Sequence, residues 1–172
     1  MSNTYFATCQ NDTLSLSNIR KLFYQSVQSE SKLDILKESI KLFFGDKKDN
    51  YPPIGLAYYG ASLTLEAKHS YNPISKINKL KEGLSFLDKS VKSDNNNLEI
   101  RFLRFSVLHH LPDILGYGNE KREDADIIYK LLINQDFSNL SYDLQKGIAN
   151  FLINSKRISK EQIAKLNLIY NK

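Results

Sequence analysis

Several residue types are scarce or missing in this sequence. Its 172 residues include no tryptophan, one cysteine, four prolines and seven glycines. The single cysteine, Cys9, has no partner in the chain, so no internal disulfide stabilises the fold. So few prolines and glycines are typical of a helical protein rather than of a β-sandwich, which needs many turns.

Long apolar runs and blocks of one charge are missing too. No run of 18 apolar residues occurs, which excludes a membrane-spanning helix. The net charge is +5, but the 24 basic residues are scattered among 19 acidic ones and form no continuous basic stripe. Because nucleic-acid affinity depends on clustered positive charge, we expect no nucleic-acid partner.

The start of the chain lacks both the basic region and the apolar region of a signal peptide. As written, the sequence predicts a cytoplasmic protein, and a periplasmic or exported one if a leader was removed. Residues 1–13 are small and polar, and we expect a flexible N-terminal arm there. Residues 14–172 are predicted to form a single domain.

What the sequence does contain is a periodic apolar pattern. A hydrophobic fraction of 41% with 11% aromatic residues is typical of a folded protein. The apolar positions recur at helical spacing in about eight segments, and no segment reads as a strand. The predicted fold is all-α, with about eight helices paired as antiparallel hairpins.

Two of these helices carry well-defined apolar stripes that are expected to face the core. In the second helix, residues 32–44, the stripe comprises Leu33, Leu36, Ile40, Phe43 and Phe44. In the fourth helix, which Ser75 is expected to cap, it comprises Ile77, Leu80, Leu84, Leu87 and Val91. The third helix instead has small residues, among them Gly60 and Ala61, which would let a neighbouring helix approach closely.

The stretch 98–117 is the most continuously apolar part of the chain, and a helix that is apolar nearly all round must be covered by other helices. It nevertheless carries Arg101 and Arg104, three positions apart and therefore on one face. Two interpretations are open. The pair forms an anion or carboxylate clamp, because guanidiniums offer forked donors, or it forms buried ion pairs with Glu66, Glu99 or Asp113.

The histidines do not have the pattern of metal ligands. Glu66 and His69 have the Glu-x-x-His spacing of di-metal sites in helical bundles, but those sites need a second copy and two further glutamates, which are missing. His109 and His110 are adjacent, so their side chains diverge by about 100° on a helix and do not readily share a metal. One of them is expected to pack or to cap the helix. We predict no metal and no cofactor.

Two resemblances extend this interpretation. The segments beginning at Leu33, Leu80 and Asp124 resemble the second helix of a tetratricopeptide repeat, with Gly83 and Ser90 at the small-residue positions. This resemblance implies a degenerate tetratricopeptide-like α-solenoid, in which each hairpin buries one face against its neighbours.

From about Tyr51 onward, the chain also resembles an uncharacterised family of small bacterial all-helical proteins. The resemblance rests on motifs such as Asn72-Pro73, Glu99-Ile-Arg101-Phe-Leu-Arg104 and Pro112-Asp-Ile-Leu115-Gly116-Tyr117, together with Asp124. It implies no particular activity. Members often begin with a hydrophobic leader, so it favours an exported location.

The sequence therefore predicts a non-enzymatic protein- or peptide-interaction module that is a monomer or a weak homodimer. The predicted partner-binding residues line the edge of a groove: Tyr58, His69, Arg101, Arg104 and Tyr117. The alternative is a small-ligand or anion binder, or an enzyme, with a polar pocket around Glu66, His69, Arg101 and Arg104.

Overall fold

The structure is a computed structural model that describes residues 15–134 and 140–171. The predicted N-terminal arm, with Cys9, lies outside the described residues.

The described residues form eight α-helices and two short 3₁₀ turns, at residues 48–50 and 113–115, and they contain no strand. The prediction of an all-α fold is confirmed, whereas the tetratricopeptide-like arrangement stays a prediction. The helices are α1 (Leu16–Ser26), α2 (Glu30–Phe44), α3 (Pro53–His69), α4 (Pro73–Ser93), α5 (Leu98–His109), α6 (Gly118–Asn134), α7 (Tyr142–Asn154) and α8 (Lys160–Tyr170).

Local capping signals set most helix ends. Ser141 accepts a hydrogen bond from the backbone of Leu144 at the start of α7, and Ser159 forms a full capping box at the start of α8. The expected cap of α4 was wrong: the Asn72 side chain, not Ser75, accepts hydrogen bonds from the first turn. An asparagine one residue before Pro73 is in the right place to do so, because the first-turn amides have no backbone partners.

The described chain divides into two compact units, one up to Ser90 and one from Val91 onward, so the boundary falls within α4. They are called unit 1 and unit 2. The prediction of one domain over residues 14–172 stays a prediction.

Unit 1 depends on a close contact between α3 and α4. Gly60 and Gly83 face each other so closely that a Cβ atom added to Gly83 would lie 2.6 Å from the carbonyl oxygen of Gly60. Further along, the Ser90 hydroxyl donates a hydrogen bond to the carbonyl of Pro53. The expected close approach of a helix to the small residues of α3 is confirmed.

Unit 2 has an apolar core built from α5 to α8. Eleven buried residues form it: Leu98, Phe102, Phe105, Ala125, Ile128, Leu132, Ile148, Ala149, Leu152, Leu166 and Tyr170. The Tyr170 hydroxyl donates a hydrogen bond to the carbonyl of Leu132, and burial raises the pKa of Tyr170 to about 12. This core holds α5 and α6 side by side, which decides what the arginines of α5 touch.

Candidate functional site

The two arginines of α5 converge on one carboxylate of α6, that of Asp124. Arg104 binds it with two parallel hydrogen bonds, Nε to Oδ2 at 2.8 Å and Nη2 to Oδ1 at 2.7 Å. Arg101 adds a third, from Nη1 to Oδ1 at 2.8 Å. Arg101 is 3% exposed, Arg104 is 5% exposed and Asp124 is fully buried. The geometry is that of a bidentate charge-assisted pair shared by a second guanidinium.

Arg101 has further partners at the edge of this cluster. Its Nε donates to the carbonyl of Asn95 at 2.7 Å, and its Nη1 lies 2.9 Å from the carboxylate of Glu123, whose side chain is 54% exposed. The two arginines and the two acids balance in charge. Of the two interpretations of the sequence, an anion clamp or buried ion pairs, this arrangement fits the buried ion pairs.

The expected partners of the arginines were wrong in two cases. Glu66 pairs with Lys37 at 3.1 Å and with Lys79 at 3.3 Å, and Asp113 pairs with Lys121 at 2.7 Å. A signal for Asp124 was present in the sequence. It precedes Ile128 by four positions and Leu132 by eight, so helical periodicity places it on the buried face of α6.

The Glu66 carboxylate is held in its ionised form by its lysines. Burial alone would raise the pKa of Glu66, but the hydrogen bond and charge of Lys37, followed by those of Lys79, outweigh burial and leave the pKa below its usual value.

His69 and Lys68 tie the end of α3 to the end of α1. His69 Nε2 lies 3.0 Å from the carbonyl of Ser26, and the Lys68 ammonium donates to the carbonyl of Val27 at 2.6 Å. The last carbonyls of a helix have no backbone partners and attract donors and positive charge. The described contacts of His69 are therefore those of a helix cap.

The five predicted binding residues are divided between the two units. Tyr58 and His69 belong to unit 1, whereas Arg101, Arg104 and Tyr117 belong to unit 2. Tyr58 is 2% exposed and packs edge-on against Phe23, while His69 and Tyr117 are half-buried. Tyr58, Arg101 and Arg104 thus offer almost no surface to a partner. Within unit 2, the structure brings the two arginines together on one carboxylate.

The end of α5 holds a histidine in an aromatic setting. The His109 ring lies 5.9 Å from the Phe105 ring and 5.5 Å from the Phe151 ring, between centroids. Its buried Nδ1 has no hydrogen-bond partner among the described residues. His110 Nδ1 donates to the carbonyl of Ser106 at 2.8 Å, which confirms that one histidine caps the helix.

We expect His109 to make the stability of the protein depend on pH. Burial, followed by the positive charges of His110, Arg157 and Lys121, lowers the pKa of His109 below its usual value of 6.5. The unfolded chain therefore binds a proton at His109 at a higher pH than the folded chain does. The contribution of neutral His109 to the free energy of unfolding is present above about pH 6.5 and is lost as the pH falls.

The measurement is the urea midpoint of unfolding between about pH 7.5 and pH 5.5, where histidine titrates. The midpoint should fall less steeply in His109→Phe, because phenylalanine fits the aromatic setting and does not titrate. The expectation would be contradicted if the urea midpoint fell equally steeply with pH in the natural chain and in His109→Phe.

Lys121 is a buried cation that sequence reasoning missed. Its side chain is fully buried, and its ammonium donates to the carbonyl of Leu111 and to the carboxylate of Asp113, both at 2.7 Å. The hydrogen bond and charge of Lys121 hold the pKa of Asp113 below its usual value. Lys121, on α6, thereby binds the turn that follows α5 and stabilises its position against α6.

Unit 1 has an open cleft of about 360 Å³ beside α2. Its walls carry three acids and three lysines, together with Ile40, Tyr51 and Tyr59. Two of the lysines are already engaged inside it: Lys48 donates to the Tyr59 hydroxyl at 2.7 Å, and Lys41 pairs with Asp46 at 3.2 Å. With balanced charge and internal pairing, the cleft has no clear preference for a ligand.

Unit 1 also exposes two sets of large apolar side chains. The first, called the outer stripe, lies on α2 and comprises Ile35, Leu42 and Phe43, which are 48%, 63% and 40% exposed. The second, called the basic corner, joins α3 to α4 and comprises Tyr71, Ile74 and Ile77 with the lysines around them. Its apolar residues are 99%, 72% and 53% exposed. Phe43 and Ile77 were expected to face the core, and both predictions were wrong.

Comparisons with protein-family models, with curated proteins and with solved structures gave no match to this chain. In the described ranges, no three His, Cys, Asp or Glu side chains are grouped so as to hold a metal ion. Nor does any helix there have the length and hydrophobicity needed to cross a membrane.

Proposed function

We propose that this chain is a non-enzymatic protein- or peptide-interaction module and that the outer stripe binds an amphipathic helix of a protein partner. The observation that carries the proposal is the stripe itself. Ile35 and Leu42 stand on the face of α2 opposite its buried residues Leu33 and Ile40. Phe43 lies at the edge between that face and the buried one.

The spacing of the stripe suits a helix as its occupant. Leu42 follows Ile35 by seven positions, which is close to two helical turns, and Phe43 follows one position later at the edge of the same face. The stripe is about 12 Å long at 1.5 Å per residue. Apolar anchors repeated at this interval are how one helix packs along another.

The charges beside the stripe favour a protein partner. Lys32 lies on one flank and Glu38 on the other, and both are exposed. A surface with an apolar centre and a rim of mixed charge is typical of protein interfaces, where rim charges set the orientation of the partner. The internal pairing of Arg101 and Arg104 with Asp124 agrees with this proposal, because it leaves no anion clamp as a competing site.

The test uses helical peptides selected from a random displayed library on the full chain, with affinities measured by fluorescence anisotropy. Ile35→Ser/Leu42→Ser should weaken the selected peptides by about 30-fold or more, which corresponds to the loss of a binding hot spot. The matched control is Leu168→Ser on α8, where the leucine is 66% exposed. Selected peptides that bind the double variant as tightly as the natural chain would overturn the proposal.

A further inference from the structure

The basic corner differs from the outer stripe in its charge. Between Glu66 and Glu82 the sequence has no acidic residue and four lysines: Lys68, Lys76, Lys79 and Lys81. Lys79 is paired with Glu66, and Lys68 donates to the carbonyl of Val27. Lys76 and Lys81 are exposed and form no ion pair with any residue in the described part of the chain.

The corner also projects from unit 1. Asn72 and Pro73 start α4 with a tight cap, and residues 71–74 are all exposed. Fully buried residues on α4 begin only at Gly83, where the helix packs against α3, although Ser75, Lys79 and Leu80 are half-buried. Tyr71 and the outer side of the first turns of α4 are therefore open to solvent. Ile74, Ile77 and Lys81 follow one another at intervals of three and four residues and so share one face of the helix.

We propose that the basic corner binds the surface of an anionic phospholipid membrane. Tyr71, Ile74 and Ile77 enter the interface between headgroups and acyl chains, and Lys81, on the same face of the helix, contacts the lipid phosphates. Lys76 lies about 100° round the helix from Ile77 and adds positive charge close to the lipid surface. A projecting set of apolar side chains needs no shaped pocket in a lipid surface, and tyrosine is well suited to the boundary between apolar and aqueous layers. Lysines beside such a set are attracted by the negative potential of anionic lipids.

The charge pattern decides among the possible occupants. The exposed lysines Lys76 and Lys81, with no acidic residue between Glu66 and Glu82, match an anionic partner. The mixed charges of the outer stripe do not. Nucleic acid would use the lysines but would leave the two isoleucines in water. An acidic protein segment remains the competing occupant, and the test separates it from lipid. The proposal is independent of the outer stripe, since the two surfaces lie on different helices.

The absence of tryptophan from the chain provides a direct reporter. Tyr71→Trp places the only indole at the tip of the corner, and Ile114→Trp places it at a site in unit 2 that is 92% exposed and next to Asp113. With vesicles of phosphatidylcholine containing about 30% phosphatidylserine, the indole fluorescence of Tyr71→Trp should shift to shorter wavelength and that of the Ile114→Trp control should not. Pure phosphatidylcholine vesicles should leave both unchanged.

Co-sedimentation of the full chain with the same vesicles measures the affinity. Tyr71→Ser/Ile74→Ser/Ile77→Ser and, separately, Lys76→Glu/Lys81→Glu should each lower the partition coefficient by about 10-fold or more. The matched control Ile114→Ser/Leu115→Ser should leave it unchanged. All substituted residues are exposed, and circular dichroism verifies that each variant is folded.

Three results would overturn the proposal. The first is no binding to the anionic vesicles. The second is binding that the corner variants do not weaken. The third is a fluorescence shift of Tyr71→Trp with an acidic peptide such as polyglutamate but none with vesicles, which would assign the corner to a protein partner instead.

Discussion

Asp124→Ala is expected to destabilise the protein by about 3–5 kcal/mol, because removal of one partner leaves buried charge uncompensated. Asp124 is fully buried and accepts three hydrogen bonds from two guanidiniums that are themselves almost completely buried. Without the Asp124 carboxylate, Arg101 and Arg104 would place two positive charges close together, and the half-exposed Glu123 would compensate them only in part. Urea denaturation followed by circular dichroism measures the loss.

Two further variants sharpen this prediction. Glu123→Ala removes a carboxylate from the same cluster, but that side chain is 54% exposed, so the loss should stay below about 1 kcal/mol. Arg101→Met/Arg104→Met/Asp124→Leu replaces all three buried charges by apolar groups and should recover most of the stability lost in Asp124→Ala. If Asp124→Ala costs no more than Glu123→Ala, the cluster is not the stabilising element described above.

Gly83→Ala is expected to destabilise unit 1 by about 1–3 kcal/mol through overpacking. The added methyl group would lie 2.6 Å from the Gly60 carbonyl oxygen and 2.7 Å from the Thr64 side chain, so α3 and α4 would have to move apart. This cost must exceed the gain of about 1 kcal/mol that alanine brings to a helix over glycine.

Gly147→Ala is the matched control, since Gly147 also lies within a helix but a Cβ atom there would have no neighbour within 4 Å. This variant should stabilise the protein by about 0.5–1 kcal/mol. Thermal denaturation of the two variants side by side therefore gives shifts of opposite sign. If Gly83→Ala raised the thermal midpoint instead, α3 and α4 would be able to move apart at little cost in free energy, and the prediction would be wrong.

The surfaces proposed for binding were the hardest features to predict. Periodicity placed Phe43 in the core stripe of α2 and Ile77 in that of α4, yet both are exposed. An apolar residue at helical spacing shows which face of its own helix it occupies, but not whether another helix covers that face. Ile35 lay outside the predicted core stripe of α2, which agrees with its exposure.

The candidate site was predicted in part for the same reason. The spacing of Arg101 and Arg104 fixed their common face, and the apolar surroundings indicated that they are buried. Their partner lies about 20 residues away on another helix, and several carboxylates in the sequence were candidates for the ion pair. Only the packing of α5 against α6 selected Asp124.

Local chemistry in the sequence determined the all-α class, the number of helices in the described residues, and most of their ends. Capping side chains, proline and apolar periodicity act within a few residues, so they can be read without knowledge of the rest of the chain. The tertiary structure decided which charges meet, how closely α3 and α4 approach, and which apolar side chains remain uncovered. These outcomes depend on contacts between distant segments, whose free energies are set by the shape of the packed helices rather than by any single stretch of sequence.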